Sequence, residues 1–247
     1  MLNEFHNRLA VVTGASSGIG LAVTEQLLEQ GARVLAMSRQ IGGLGELAER
    51  YKDQLAWVAG DITRQEDLAR LGTRAEALGP VDFVVPNAGI AQLADGLDVA
   101  AFDRQWAVNG AGALNTLACL RSHLAATASV VFIGTFLANV TFPGLAAYIA
   151  SKAALMAHVR TLAVELAPHG IRINTVSPGP TATPIWSTLG LKPAELGDVA
   201  NSVNQRLLDG EFLKPSAVAD VILFQLSRGA RSVYGQDWVV DSGYTLR

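Results

Sequence analysis

Between Arg8 and Asp241 the chain alternates short β-branched runs with longer runs of helical spacing, which narrows its folding options more than any other feature. "RLAVVTG" reads as a strand and "GLAVTEQLLEQG" as a helix ended by Gly31. The strand "RVLAMS" precedes a helix over Leu44–Lys52, and "LAWVAG" precedes one over Gln65–Leu78. "VDFVVPN" leads into a long helix over Phe102–Ala126, and "SVVFIG" into a helix over Tyr148–Leu166. "IRINTVS", a helix over Ala217–Leu226 and the strand "DWVVD" close the chain. Repeated β-α-β units dictate a parallel sheet with right-handed crossovers and helices on both faces. The predicted fold is therefore α/β, a doubly wound parallel sheet of the Rossmann type. A length of 247 residues suits a single domain over 1–247. Such sheets bind ligands at the carboxyl ends of their strands.

One stretch tests that reading. Leu124 to Ser151 contains no Asp, Glu, Lys or Arg, which is long enough to suggest a membrane span. Gly134, Asn139, Thr141, Pro143 and Gly144 break it near the middle, so strand, loop and helix explain it better. Half of all residues are hydrophobic and 17% are charged, as befits a sheet buried on both faces. Formal net charge is −3 with no basic stripe, which argues against a nucleic-acid partner. A single cysteine, Cys119, excludes an internal disulfide and fits a packing role in a reducing cytoplasm. The N-terminal residues show no basic region followed by an apolar one, so no signal peptide is expected.

"TGASSGIG" places Gly14, Gly18 and Gly20 between the first strand and the first helix. Glycines allow a tight turn, and the helix N-terminus offers N–H groups and partial positive charge to a phosphate. Ser16, Ser17 and Ile19 complete this candidate dinucleotide turn. At the end of the second strand a carboxylate would select a free ribose 2′-hydroxyl. Ser38 and Arg39 stand there instead. A guanidinium can fork onto a 2′-phosphate and Ser38 can donate to it, which favours NADP(H) over NAD(H). Ser17 is not basic, so a second cation for that phosphate is missing.

At this point the chain resembles, nearly end to end, the short-chain dehydrogenase/reductase family of about 250 residues. "GDIT" matches the segment after strand three, where the resemblance implies that Asp61 holds the adenine amino group with Ile62 beside it. "NAG" at Asn87, Ala88 and Gly89 matches the motif after strand four. "VNGAG" supplies Asn109, "YIASK" supplies Tyr148 and Lys152, and "INTVSPGPTATP" matches the segment that covers the nicotinamide. "VYGQDWVVDSGYTLR" resembles the family's final strand and tail.

Tyr148 and Lys152 are four residues apart, on one helix face. A nearby ammonium is expected to lower the phenol pKa. The resemblance implies that Tyr148 exchanges a proton with the substrate oxygen and that Lys152 also binds the nicotinamide ribose. It implies that Asn109 holds a water in a proton relay; a buried amide also needs a partner, and a backbone bond that bends its helix is the simpler alternative. Thr135 stands thirteen residues before Tyr148, where the family usually has serine. It keeps the hydroxyl that would hold the substrate oxygen, and its extra methyl is expected to narrow or shift the substrate range. Pro178 and Gly179 turn the chain past the cofactor. Thr181 is expected to meet the carboxamide through its backbone and Thr183 to reach a phosphate; loop capping is the alternative for both.

The segment from about 183 to 214 reads as a substrate lid. Ile90, Leu137, Asn139, Phe142, Leu145, Pro180, Ile185, Trp186 and Leu189 form the expected substrate wall. It is mostly apolar and lacks Arg and Lys, which points to a ketone or secondary alcohol on a hydrophobic or cyclic skeleton. The four histidines show no metal-ligand spacing, so no metal is expected. The resemblance implies a homotetramer, or a dimer, packed through long helices. Two alternatives stay open: an NAD(H)-dependent alcohol dehydrogenase of the same family, and a catalytically weak dinucleotide-binding regulator.

Overall fold

The computed structural model describes residues 4–247; the expectation about a leader rests partly on residues 1–3, which lie outside that range. Seven parallel strands form one sheet in the order β3-β2-β1-β4-β5-β6-β7. They are β1 (Leu9–Thr13), β2 (Arg33–Ser38), β3 (Leu55–Ala59), β4 (Val81–Pro86), β5 (Leu124–Ile133), β6 (Arg172–Pro178) and β7 (Asp237–Val240). The order reverses between β1 and β4, and the two halves open a crevice there at the carboxyl edge.

Period-two geometry divides the core. Ala10, Val12, Val34, Ala36 and Val85 face one side, with α1 (Gly18–Glu29) and α8 (Pro215–Leu226) packed on it. Leu9, Val11, Leu35, Met37 and Val84 face the other, covered by α3 (Gln65–Leu78), α5 (Ala113–Leu120) and α6 (Ala146–Leu166). Burial on both faces is why these strands read as continuous apolar runs rather than alternating ones.

The charge-free stretch resolves into the whole of β5, a 3₁₀ turn at Phe136–Ala138, a loop and the start of α6 up to Ser151. No described helix is long and apolar enough to cross a membrane. Two expectations need correction. The helix over Phe102–Ala126 is instead α4 (Val99–Trp106), a π-helical stretch at Ala107–Gly112, α5 and a short 3₁₀ turn. Leu124–Ala126 already belong to β5: Leu124 pairs with Val81 and Ser129 with Phe83, across an irregularity that absorbs the extra residues. Sheet pairing overrides the helix preference of the alanines there. The segment after β6 is also more ordered than its polar composition suggests, since it contains α7 (Pro193–Asn204), started by Pro193 with Glu195 accepting from the Lys192 N–H at 2.7 Å.

Candidate active site

The glycine turn is built by close backbone approach. Gly14 has φ +65, and a Cβ there would lie 2.7 Å from the Ala88 Cα. A Cβ on Gly20 would lie 2.4 Å from both Asn87 Nδ2 and the Gly14 carbonyl. Asn87 exploits that space: its amide donates to the carbonyls of Thr13 at 3.0 Å and Gly14 at 3.2 Å. The "NAG" segment thus braces the turn across the switch point. Ser17 occupies the N-cap position of α1 without capping it by side chain. Its first N–H groups are therefore left to a phosphate. The turn closes against Thr183, whose methyl lies 3.0 Å from where a Gly18 Cβ would be. Ser16 and Ile19 line the same cavity, as do Gly89, Pro178 and Gly179.

Farther along the crevice Arg39 is exposed at the cavity rim. Ser38 is buried, and its hydroxyl donates to the Gln40 carbonyl at 2.7 Å while accepting from Trp57 Nε1 at 3.0 Å. Its one proton is therefore spent on the turn. Asp61 is oriented from both sides. Its N–H donates to Asp67 Oδ2 at 2.7 Å, and its Oδ1 accepts from the Thr63 N–H at 2.9 Å and hydroxyl at 2.8 Å. The Asp61 N–H bond is also the main cause that holds the Asp67 carboxyl below its usual range. Ile62 is buried beside it and lines the cavity.

Thr135, Tyr148 and Lys152 meet at the other end. Tyr148 and Lys152 project from the first turns of α6, and Thr135 ends the segment that follows β5. Thr135 Oγ1 accepts from the Leu137 N–H at 3.3 Å, which leaves its own proton for a neighbour. The Thr135 hydroxyl is close enough to the Tyr148 phenol to pull its pKa down. Burial dominates, however, and pushes the phenol above its ordinary value. This reverses the sequence expectation of a depressed tyrosine: desolvation of the phenolate outweighs its partners in the protein alone. Lys152 is 4% exposed and donates to the Ile133 carbonyl at 2.8 Å. Burial lowers its ammonium to about 8.

Asn109 lies behind these groups, fully buried in the π-helical stretch. Its amide brackets Ile90, donating to the carbonyl at 3.0 Å and accepting from the N–H at 2.9 Å. It donates further to Ser151 Oγ at 3.1 Å, and Ser151 donates to the Tyr148 carbonyl at 2.7 Å. The backbone it satisfies is therefore that of the loop after β4, not of its own helix, so it does not bend the helix by the route the simpler reading supposed. A Cβ on Gly89 would lie 3.2 Å from Asn109 Oδ1 and 3.6 Å from Lys152 Nζ, so the asparagine and the lysine border one small space.

The substrate wall is apolar as expected, with one exception and several additions. Asn139 is exposed and does not line the cavity. Thr181 donates its hydroxyl to the Gly179 carbonyl at 2.9 Å and its own carbonyl accepts from Trp186 Nε1 at 2.8 Å, so loop capping accounts for its side chain. Trp186 stacks on Phe212 with centroids 4.8 Å apart, and Thr188 donates to the Ala91 carbonyl at 2.7 Å. These contacts tie the segment over the crevice to both of its banks. Val203 from α7 and Tyr244 from the tail complete the wall. Sequence reasoning missed both, since they are far from every motif; only the tail's general likeness to the family pointed toward Tyr244. Cys119 is inert in this arrangement, donating to the Thr116 carbonyl with its thiol pushed up to about 11 by burial. Among the described residues no His, Cys, Asp and Glu cluster could hold a metal ion.

One continuous cavity of about 720 Å³ joins the glycine turn, the Ser38–Arg39 rim and the Thr135–Tyr148–Lys152 end. Its length and lining fit a dinucleotide with its phosphates at α1. Gly14 and Gly18 line the cavity with bare backbone, and Gly20 behind them leaves room for Asn87 and the Gly14 carbonyl.

The comparisons agree with this geometry. A family model described as "Enoyl-(Acyl carrier protein) reductase" matches residues 14–245. The chain is 37% identical to a cis-4-hydroxycyclohexanecarboxylate dehydrogenase of Sinomonas cyclohexanicum, over 99% of each. It is 32% identical to the NADPH carbonyl reductase 2 of Sus scrofa, again over 99% of each. Among solved structures, the short-chain dehydrogenase/reductase of Brucella melitensis superposes with a TM-score of 0.89 at 30% identity, over 99% of both chains.

Proposed function

Since the chain belongs to the short-chain dehydrogenase/reductase family, whose members here are oxidoreductases acting on CH–OH groups, we propose that it is NADP(H)-dependent and interconverts a ketone and a secondary alcohol on a hydrophobic or cyclic skeleton. The observation that carries this reading is the convergence of two hydroxyls, Thr135 and Tyr148, at the buried end of the dinucleotide crevice.

The nicotinamide, when bound, supplies or accepts the hydride. Gly14, Ser16, Ser17, Gly18 and Ile19 would hold its pyrophosphate, with Thr183 closing over them and Gly20 preserving the turn. Asp61 and Ile62 would hold the adenine, and Asn87, Ala88 and Gly89 the middle of the crevice. Lys152 would bond the nicotinamide ribose, and Pro178, Gly179 and Thr181 would border the ring.

The chain's own residues then do the proton work. A substrate carbonyl oxygen takes the place between the hydroxyls of Thr135 and Tyr148. Thr135, fixed by the Leu137 N–H, donates its proton and sets the orientation. Tyr148 is kept protonated by burial, which suits a proton donor in the reducing direction. In the oxidising direction it must accept the proton, and the positive charges of Lys152 and an oxidised nicotinamide would favour the phenolate. The space shared by Asn109, Gly89 and Lys152 is where a relay water would sit.

Arg39 and the lack of a carboxylate at the end of β2 support NADP(H). The commitment of the Ser38 proton to Gln40 supports the second reading, NAD(H), because it removes one donor from a 2′-phosphate. Association into a homotetramer or dimer is part of the proposal. It is supported by exposed apolar groups on regular elements: Val164 on α6, and Phe224 on α8 stacked on Trp238 of β7 at 5.4 Å. Following absorbance at 340 nm with each reduced cofactor over a panel of cyclic ketones tests the reading. Turnover with NADPH that vanishes in Tyr148→Phe is expected; full activity in that variant would refute the mechanism.

A further inference from the structure

We propose that Tyr244 recognises a second polar group on the substrate, so that the preferred ketones carry a hydrogen-bond acceptor remote from the reacting carbonyl. This rests on the oxidoreductase reading above and names its substrate class more closely. Tyr244 is 5% exposed and lines the cavity. Its ring is held by two neighbours: Phe136 packs nearly perpendicular to it with centroids 5.0 Å apart, and the Arg206 guanidinium lies over one face, 4.3 Å from its centroid. The Tyr244 hydroxyl makes no hydrogen bond within the described residues and is not sealed from solvent, on a side chain that lines the cavity.

The position is built rather than incidental. Asp241 accepts from the Gly243 N–H at 3.0 Å, and from the Thr245 N–H at 2.9 Å and hydroxyl at 2.8 Å. The tail turn that carries Tyr244 is thereby closed around one carboxylate. The turn is pinned to the crevice as well, since the Gly179 N–H donates to the Val240 carbonyl at 2.8 Å and a Cβ on Gly179 would lie 2.5 Å from the Asp241 Cα. Phe136 directly follows Thr135, so the same short turn positions one hydroxyl for the carbonyl and supports the ring that presents another. Elsewhere this wall is Phe142, Leu145, Ile185, Trp186 and Leu189. A phenol hydroxyl in an apolar stretch of wall confers selectivity, because a ligand lacking the matching group leaves it unpaired. A phenol O–H donates, so an acceptor is the matching chemistry.

The test compares 4-methoxycyclohexanone with 4-ethylcyclohexanone, using wild type and Tyr244→Phe, which keeps the ring and its two neighbours. In wild type the methoxy ketone is expected to show a KM about tenfold lower, with similar kcat. In Tyr244→Phe that gap closes through a rise in the KM of the methoxy ketone. Equal KM values in wild type, or a gap that survives in Tyr244→Phe, would overturn the proposal. Calorimetric titration of the same pair into the protein with NADP⁺ separates this from the redox reading. A Tyr244-dependent affinity gap without turnover in the kinetic assay would support the recognition role and fail the redox reading alone; equal affinities would sink the recognition role even in an active enzyme.

Discussion

Lys152 donates its ammonium to the carbonyl of Ile133, at 2.8 Å, two residues before Thr135. α6 is thus fastened to the end of β5 by a charged group that has no carboxylate partner among the described residues. Burial lowers that ammonium from 10.5 to about 8. The unfolded chain therefore binds more protons than the folded one between these values, and stability contributed through Lys152 rises with pH across that window. Below about 8 the penalty of the buried charge is present in full. Urea unfolding of wild type and Lys152→Met without cofactor, at pH 7 and pH 11, should show wild type gaining up to about 3 kcal/mol on the variant at the higher pH. A constant difference between the two proteins would contradict a buried, depressed lysine.

Thr135 should control the state of Tyr148. Its hydroxyl lowers the phenol pKa against the rise imposed by burial. Thr135→Val removes that hydroxyl, so the pH at which alcohol oxidation gains its base should move upward and kcat should fall about 100-fold. Thr135→Ser should keep the pH profile and accept bulkier ketones. The pH dependence of kcat/KM for the three proteins checks this, and an unmoved profile in Thr135→Val would contradict it.

Arg39 should discriminate the nucleotides. Arg39→Ala is expected to weaken NADPH about 10- to 100-fold and NADH by less than about twofold, as measured by fluorescence titration. Equal losses would remove the phosphate role from Arg39.

Asn109 should matter for the loop after β4 as much as for chemistry. Asn109→Leu leaves the N–H and carbonyl of Ile90 without their side-chain partners in a largely buried setting. A stability loss of about 2 kcal/mol or more is expected in thermal or urea unfolding, together with a loss of activity. Unchanged stability would mean that Ile90 finds other partners.

Much of this molecule was legible in its residues, for identifiable reasons. The strands announced themselves because a doubly covered sheet demands unbroken apolar runs, and α3 was read to its exact ends. The glycine turn was legible because Gly14 and Gly20 are required by approach distances that tolerate no Cβ. What escaped was decided by partners distant in sequence. Leu124–Ala126 look helical and become strand because β4 is beside them. α7 is hidden in a polar segment that starts from a single proline and a capping glutamate. Asn139 was placed on the wall by nearness to Thr135, yet the 3₁₀ turn at Phe136–Ala138 directs it outward. Ser38 carries a suitable hydroxyl for a phosphate, and only the positions of Gln40 and Trp57 reveal that its proton is used. Tyr244 has no neighbouring motif, and its place in the cavity wall depends on Asp241 bending the tail back to Phe136.

That bend also separates two kinds of change. The tail turn is held by main-chain groups, one carboxylate and one glycine contact, none of which involves the side chain at 244. The hydride crevice and the proton donors are carried by other elements altogether. A change of the side chain at this tail position therefore reshapes the cavity wall without removing any hydrogen bond that holds the turn.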